Sequence, residues 1–235
     1  MTYNLIGTGN NAKTIKGDGS EYVTAIKYMQ PYKTVYRGKV HNLCAMADKA
    51  GCAEPCLKGA GRGQMQSVQR GRERKTMFYL SDRIGFMDAL INDITVFSRR
   101  QRKNGIQPCV RLNGTSDIQY EKTGIMEQFT EVQFYDYTKI VKRAYAKLPA
   151  NYHLTLSYSE ADPDYAEQVL QAVRDTGVNA AVVFRDKLPE TFKGLPVVDG
   201  DKDDLRFLDP KGVIVGLIAK GKKAKADTSG FVIDC

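Results

Sequence analysis

From residue 108 onward the chain keeps returning to short apolar runs of strand length. They are PCVRLNG (108–114), EVQFYDYT (131–138), YHLTLSYS (152–159), AAVVF (180–184), LPVVD (195–199) and GVIVGLIA (212–219). EYVTAIKYM, near the start, is a further strand, alternating about Val23, Ala25 and Tyr28. Runs of this kind, set between helical stretches, predict strands covered on both faces, hence a mostly parallel sheet with helices outside. Six or seven such strands suit a single α/β domain over 1–235, built as a partial or irregular TIM-like (βα) barrel. An open doubly wound sheet is the alternative.

The helices follow from period. Phe86, Met87, Leu90, Ile91, Ile94 and Phe97 recur at spacings of three and four, so 83–103 is predicted as an amphipathic helix, with 64–80 as its partner. Arg99, Arg100, Arg102 and Lys103 sit at its C-terminal end, where the helix dipole favours cations, and Gly105 follows as a C-cap. Ile140, Val141, Ala144, Tyr145 and Leu148 form a second stripe. Tyr165, Ala166, Val169, Leu170 and Val173 form a third, opened by Asp162-Pro163 and closed by Gly177. Residues 1–20 read as a polar lead-in, and 30–63 as a long loop without clear period.

No apolar run reaches the roughly 20 residues a membrane helix needs. The N-terminus lacks the basic start and apolar stretch of a signal peptide, so the expected compartment is the cytoplasm. Net charge is +8, unevenly spread. Residues 1–103 carry 18 Lys+Arg against 8 Asp+Glu, whereas the remainder is slightly acidic. That asymmetry predicts a polyanionic partner for the N-terminal part. Arg62, Arg70, Arg72, Arg74 and Lys75 are its candidate contacts, since positions 70 and 74 share a helix face. The sequence carries no signature of a base-reading module. GAGRG (59–63) offers a weak phosphate cradle, and KGKKAK (220–225) is a further basic run.

Five cysteines, an odd number, argue against a disulfide framework. Cys44, Cys52 and Cys56 fall within thirteen residues as C-x7-C-x3-C. Converging thiolates repel unless a cation neutralises them, so the three are candidate ligands of a metal or an iron–sulfur cluster, [4Fe–4S] foremost and zinc the alternative. His41, Cys109 and Cys235 are candidates for a fourth position, which a four-iron cluster can instead leave open to a small molecule. The plainer reading is three reduced thiols on a loop.

With these motifs in order, namely the cysteine segment, GAGRG, the helical pair, VRLNGTSDI (110–118) and VQFYDYTK (132–139), the chain resembles the bacteriophage gene-product-88-like proteins over roughly residues 20–185. The resemblance implies a phage origin, a phage-infected bacterial host, and a cysteine-ligated cluster. Relatives usually carry Pro after the first cysteine, where this chain has Ala45, and some end in further cysteines, where it has only Cys235. A three-cysteine loop after the first strand of a βα barrel also resembles the layout of radical SAM enzymes, which would imply S-adenosylmethionine. Their C-x3-C-x2-C spacing is absent.

Strand C-termini line the active face of such folds. Asn113 with Ser116 and Asp117, Asp136 with Lys139, Ser159 with Glu160, and Arg185 with Asp186 would stand there. Asp117, Asp136 and Lys139 are the candidate catalytic residues, a carboxylate near a lysine being able to orient a substrate or move a proton. Ser159, Glu160 and Asp162 read rather as helix-capping groups. Three functions follow as expectations. The first is an iron–sulfur protein acting on or binding nucleic acid, with radical or redox chemistry as its enzymatic form. The second is a nucleic-acid-binding protein with a structural metal, and the third an accessory protein that binds a host protein.

Overall fold

The structure is a computed structural model that describes residues 4–8, 21–56 and 61–235. The chain divides into two compact units, each assembled from three segments. The first comprises Met1–Cys44, Met65–Asp136 and Leu148–His153, the second Ala45–Gln64, Tyr137–Lys147 and Leu154–Cys235.

In the first unit β1 (Ile6–Gly7) pairs antiparallel with β2 (Tyr22–Lys27), and β2 pairs parallel with β5 (Gln107–Arg111), which pairs parallel with β6 (Gln133–Thr138). The polar lead-in is therefore corrected over its described part. Leu5 is fully buried, and its N–H donates to Asp93 at 2.6 Å, because β2 leaves an edge that this segment covers.

The helices α1 (Gln66–Ser81) and α2 (Arg83–Lys103) lie where the period placed them. Asp82 stops the first and caps the second, accepting from the Gly85 N–H at 2.8 Å. Phe86, Leu90 and Ile94 are fully buried, each contributing ~2 kcal/mol by leaving water. Their row seats α2 on the strands.

The long loop expected over 30–63 holds a hairpin that the sequence reading did not place. β3 (Lys33–Tyr36) and β4 (Lys39–Asn42) pair antiparallel as a separate two-stranded sheet, with Val35 opposite Val40. Arg37 and Gly38 both take positive φ, 49° and 72°, the backbone of a tight two-residue turn whose twist matches the strands.

In the second unit β8 (Asn179–Phe184) is central. It pairs parallel with β7 (Tyr152–Ser157), with β11 (Ile214–Ile218) and, at its far end, with β12 (Val232–Ile233). β10 (Leu195–Asp199) lies parallel to β11 and antiparallel to β9 (Thr191–Phe192). α3 (Pro163–Thr176) begins with Asp162 accepting from the Tyr165 N–H at 2.8 Å and ends at Gly177, φ 73°. Its stripe packs Tyr165, Val169, Leu170 and Val173 against Val182 and Ile214. The stripe at 140–148 yields only a 3-10 turn, Val141–Tyr145, since Pro149 leaves too little length for a stable helix, and α4 (Lys222–Lys225) is one short turn. β1 and β9 each pair on one side only, and no closed barrel is found among the described residues. The fold is mixed α/β with mostly parallel strands.

Candidate functional site

The turn after β5 is organised by one side chain. Asn113 is buried, and its Oδ1 accepts from the Ser116 hydroxyl at 2.8 Å and the Ile118 N–H at 2.9 Å, while its Nδ2 donates to the Ile118 carbonyl at 2.9 Å. Asp136, on β6, holds this turn from the next strand. Its carboxylate accepts from the Asn113 N–H at 2.8 Å, from Asn113 Nδ2 at 3.2 Å, and from the Tyr152 hydroxyl at 3.4 Å. Gly114 is required by close approach, because a Cβ there would sit 2.7 Å from both Ile26 and Tyr28.

The same turn receives the first cysteine of the motif. The Cys44 thiol donates to the Thr115 carbonyl at 3.4 Å, and the Asp117 N–H donates to the Leu43 carbonyl at 2.7 Å. Two motifs far apart in sequence thus meet at the C-terminal end of β5, the end at which open α/β sheets bind ligands.

Sequence reasoning missed Lys27, the last residue of β2. It is 0 % exposed, donates to Met29 Sδ at 3.0 Å, and lies 4.6 Å from the Tyr120 ring centre and 5.7 Å from that of Phe86. Burial pulls its pKa down to about 7, with Asp136 opposing that fall and Lys75 adding to it. Its position in an otherwise apolar run, Thr24–Met29, was the only available signal.

The other candidates fall into separate places. Lys139, in the second unit, hydrogen-bonds Cys52 and lies 5.7 Å from the Phe231 ring centre. Burial pushes the Cys52 thiol up, Lys139 eases its ionisation, and Cys56 opposes it. The Cys52 thiol donates to the Ala47 carbonyl at 3.7 Å. So Lys139, expected to act with Asp136, is the cation beside Cys52. All five cysteines are free thiols, with Cys109 buried in β5 and pushed up to about 12 by that burial. Among the described residues no three His, Cys, Asp or Glu side chains are grouped to hold a metal ion.

The basic candidates separate as well. Arg70 and Arg74 are exposed on α1, and Arg62 is exposed in the 3-10 turn Gly61–Gln64 of the second unit. Arg72 and Lys75 turn inward. Arg72 is buried, its guanidinium 5.2 Å from the Tyr28 ring centre, and Lys75 donates to the Leu5 carbonyl at 2.8 Å. Expected as phosphate contacts, Arg72 and Lys75 are instead tied to Tyr28, just after β2, and to Leu5, just before β1. Gly59 and Ala60 of the glycine stretch lie outside the described residues. Within the basic run, Lys220 pairs with Asp201 and Lys223 with Glu54 at 3.0 Å. Arg185 ties down the segment after α4 through Asp234 and the Asp227 carbonyl. Ser159 and Asp162 satisfy neighbouring backbone, as their capping reading requires.

The chain matches the family model described as gene product 88 over residues 4–235. It belongs to the gene product 88 family. The match extends the resemblance carried by the cysteine, LNGTSDI and FYDYTK motifs from roughly residues 20–185 to residues 4–235. No curated protein and no solved structure matches the chain. No helix among the described residues is long and apolar enough to cross a membrane.

Proposed function

We propose that the first unit binds nucleic acid by its phosphate backbone. The carrying observation is that Arg70 and Arg74 lie exposed one turn apart on α1, while Arg72 and Lys75 on the same helix are turned to the interior. Arg99, Arg100 and Lys103 are exposed near the end of α2, and the unit carries 17 Lys+Arg against 11 Asp+Glu. Exposed guanidinium groups displace condensed counterions from a polyanion, so affinity falls with salt in proportion to the contacts made. In a titration of log affinity against log salt, Arg70→Gln/Arg74→Gln is expected to lower the slope by about 2. An unchanged slope, or no salt-dependent binding by the wild-type protein, overturns the reading.

The cysteine motif supports a second reading, an iron–sulfur centre. What bears on it is that Lys139 hydrogen-bonds Cys52 and eases the ionisation of a thiol that burial and Cys56 otherwise hold up, a balance that a bound cation would tip toward thiolate. Cys44 is the motif's remaining thiol and belongs to the first unit. A bound cluster would supply electron transfer or a site for S-adenosylmethionine, while Lys139 would stabilise the Cys52 thiolate. Anaerobic reconstitution with iron and sulfide tests this reading. A visible absorbance lost in Cys52→Ser supports it, and a colourless protein, zinc-loaded or metal-free, refutes it.

A further inference from the structure

We propose that the β3–β4 hairpin is a ribbon that enters the major groove of duplex DNA, an inference that rests on the nucleic-acid reading and gives it a site of contact. The ribbon stands apart from the main strands, as a two-stranded sheet of its own. Its pairing puts Lys33 opposite Asn42 and Val35 opposite Val40. Because side chains alternate along a strand, these four share one face. All four are exposed, Val35 and Val40 at 64 % and 65 %. Thr34 points the other way and is buried, its hydroxyl donating to Gln30 Oε1 at 3.1 Å. The ribbon thus turns one face inward and presents two paired β-branched side chains to open solvent, an apolar spot of the kind that marks a contact surface.

Charge selects the occupant. From Tyr22 to Ala47 the chain holds no Asp or Glu, while Lys33, Arg37 and Lys39 stand on the hairpin. Two strands lie about 5 Å apart, so with side chains the ribbon fits the roughly 12 Å major groove of B-form DNA. The deep, narrow major groove of A-form RNA excludes it. The exposed face offers the matching chemistry, with valine methyls for thymine methyls, the Asn42 Nδ2 as a donor to purine N7 while its Oδ1 accepts from the Cys44 N–H at 2.9 Å, and a lysine for guanine N7 and O6. Arg37 and Lys39, at the tip, flank the ribbon as phosphate contacts.

The hairpin is rooted on the helix that carries the exposed arginines. The Gln30 N–H donates to the Thr76 hydroxyl of α1 at 2.8 Å, and Arg72 of α1 stacks on Tyr28. The Leu43 N–H closes the base onto the Tyr32 carbonyl at 3.0 Å. Phosphate contacts on α1 and the ribbon therefore belong to one framework.

The test uses full-length protein, duplex DNA, single-stranded DNA and an RNA duplex of equal length. Binding is followed by fluorescence anisotropy, and contact with guanine N7 by protection from dimethyl sulfate. Wild-type protein is expected to bind the DNA duplex and protect guanine N7. Val35→Glu/Val40→Glu is expected to lose the protection and at least tenfold in affinity, with its thermal midpoint unchanged because both side chains are exposed. Arg37→Gln/Lys39→Gln, a milder change, is expected to lower the salt slope by about 2. Arg70→Gln/Arg74→Gln is expected to weaken binding yet keep the protection. If both hairpin variants bind and protect as wild type does, or if the RNA duplex or single strand is preferred, the ribbon proposal falls while phosphate binding by the unit stands. If wild-type protein binds none of the three nucleic acids, both fall.

Discussion

Lys27→Met should make this protein more stable at neutral pH and remove a dependence on alkalinity. The amine is wholly enclosed among Met29, Tyr120 and Phe86, and its pKa stands at about 7 against an ordinary 10.5. Between those two values the unfolded chain holds a proton that the folded chain has released. Unfolding then takes up a proton, so stability climbs as pH rises from 7 towards 10.5. Below pH 7 both states are protonated and the cost is complete. At 1.36 kcal/mol per unit the full cost is ~5 kcal/mol, of which ~2 kcal/mol is recovered between pH 7 and pH 9. Asp136 and Lys75 are the charged groups that act on the amine, in opposite directions. Methionine conserves length and volume without the charge. Urea denaturation of both proteins at pH 7, 8 and 9 reads the difference directly. The wild-type midpoint should rise with pH relative to the variant, and the two should converge. Parallel curves would refute the argument, because they would show that Lys27 keeps its proton in the fold or reaches water.

Other outcomes follow from single contacts. Asn113→Ala removes the side-chain hub of the turn after β5, leaving the Ser116 hydroxyl and the Ile118 backbone without their bonds to it and taking one hydrogen bond from Asp136, so a loss of roughly 2–3 kcal/mol is expected by chemical denaturation. Gly114→Ala drives a methyl into Ile26 and Tyr28 and should cost ~1–3 kcal/mol, with a downward shift of the melting temperature. Asp162→Ala deletes the N-cap of α3 and should cost ~1 kcal/mol, which Asp162→Ser largely restores. Cys109, buried and raised to about 12, should resist thiol reagents in the native protein at pH 8 while the exposed Cys235 reacts, and should react on unfolding.

What the sequence disclosed and what it hid have physical reasons. α2 and α3 were legible because each carries an unbroken apolar stripe with a stop and a cap, as Asp162, Pro163 and Gly177 do for α3. The longer strands after residue 107 were legible because strands covered on both faces read as apolar runs, whereas the two-residue β9 and β12 are too short to show one. The β3–β4 hairpin was not, since its apolar residues, Val35 and Val40, face solvent and mark no core. Arg37-Gly38 between KTVY and KVHN was the available signal, weakened because arginine seldom occupies positive φ. Of the candidate site residues, Asp117 and Asp136 do meet the Asn113 turn and the Cys44 approach. Arg72 was misplaced because helical period alone does not reveal that Tyr28 would take its guanidinium inward.

The division of the chain has a consequence for how such a protein is made and altered. The first unit ends at His153 and the second begins at Ala45, so over more than a hundred residues the polypeptide shuttles between two unfinished bodies. The earlier body cannot close until the chain has been made as far as His153. A single genetic junction within that stretch breaks both at once, and the two halves can be inherited only together.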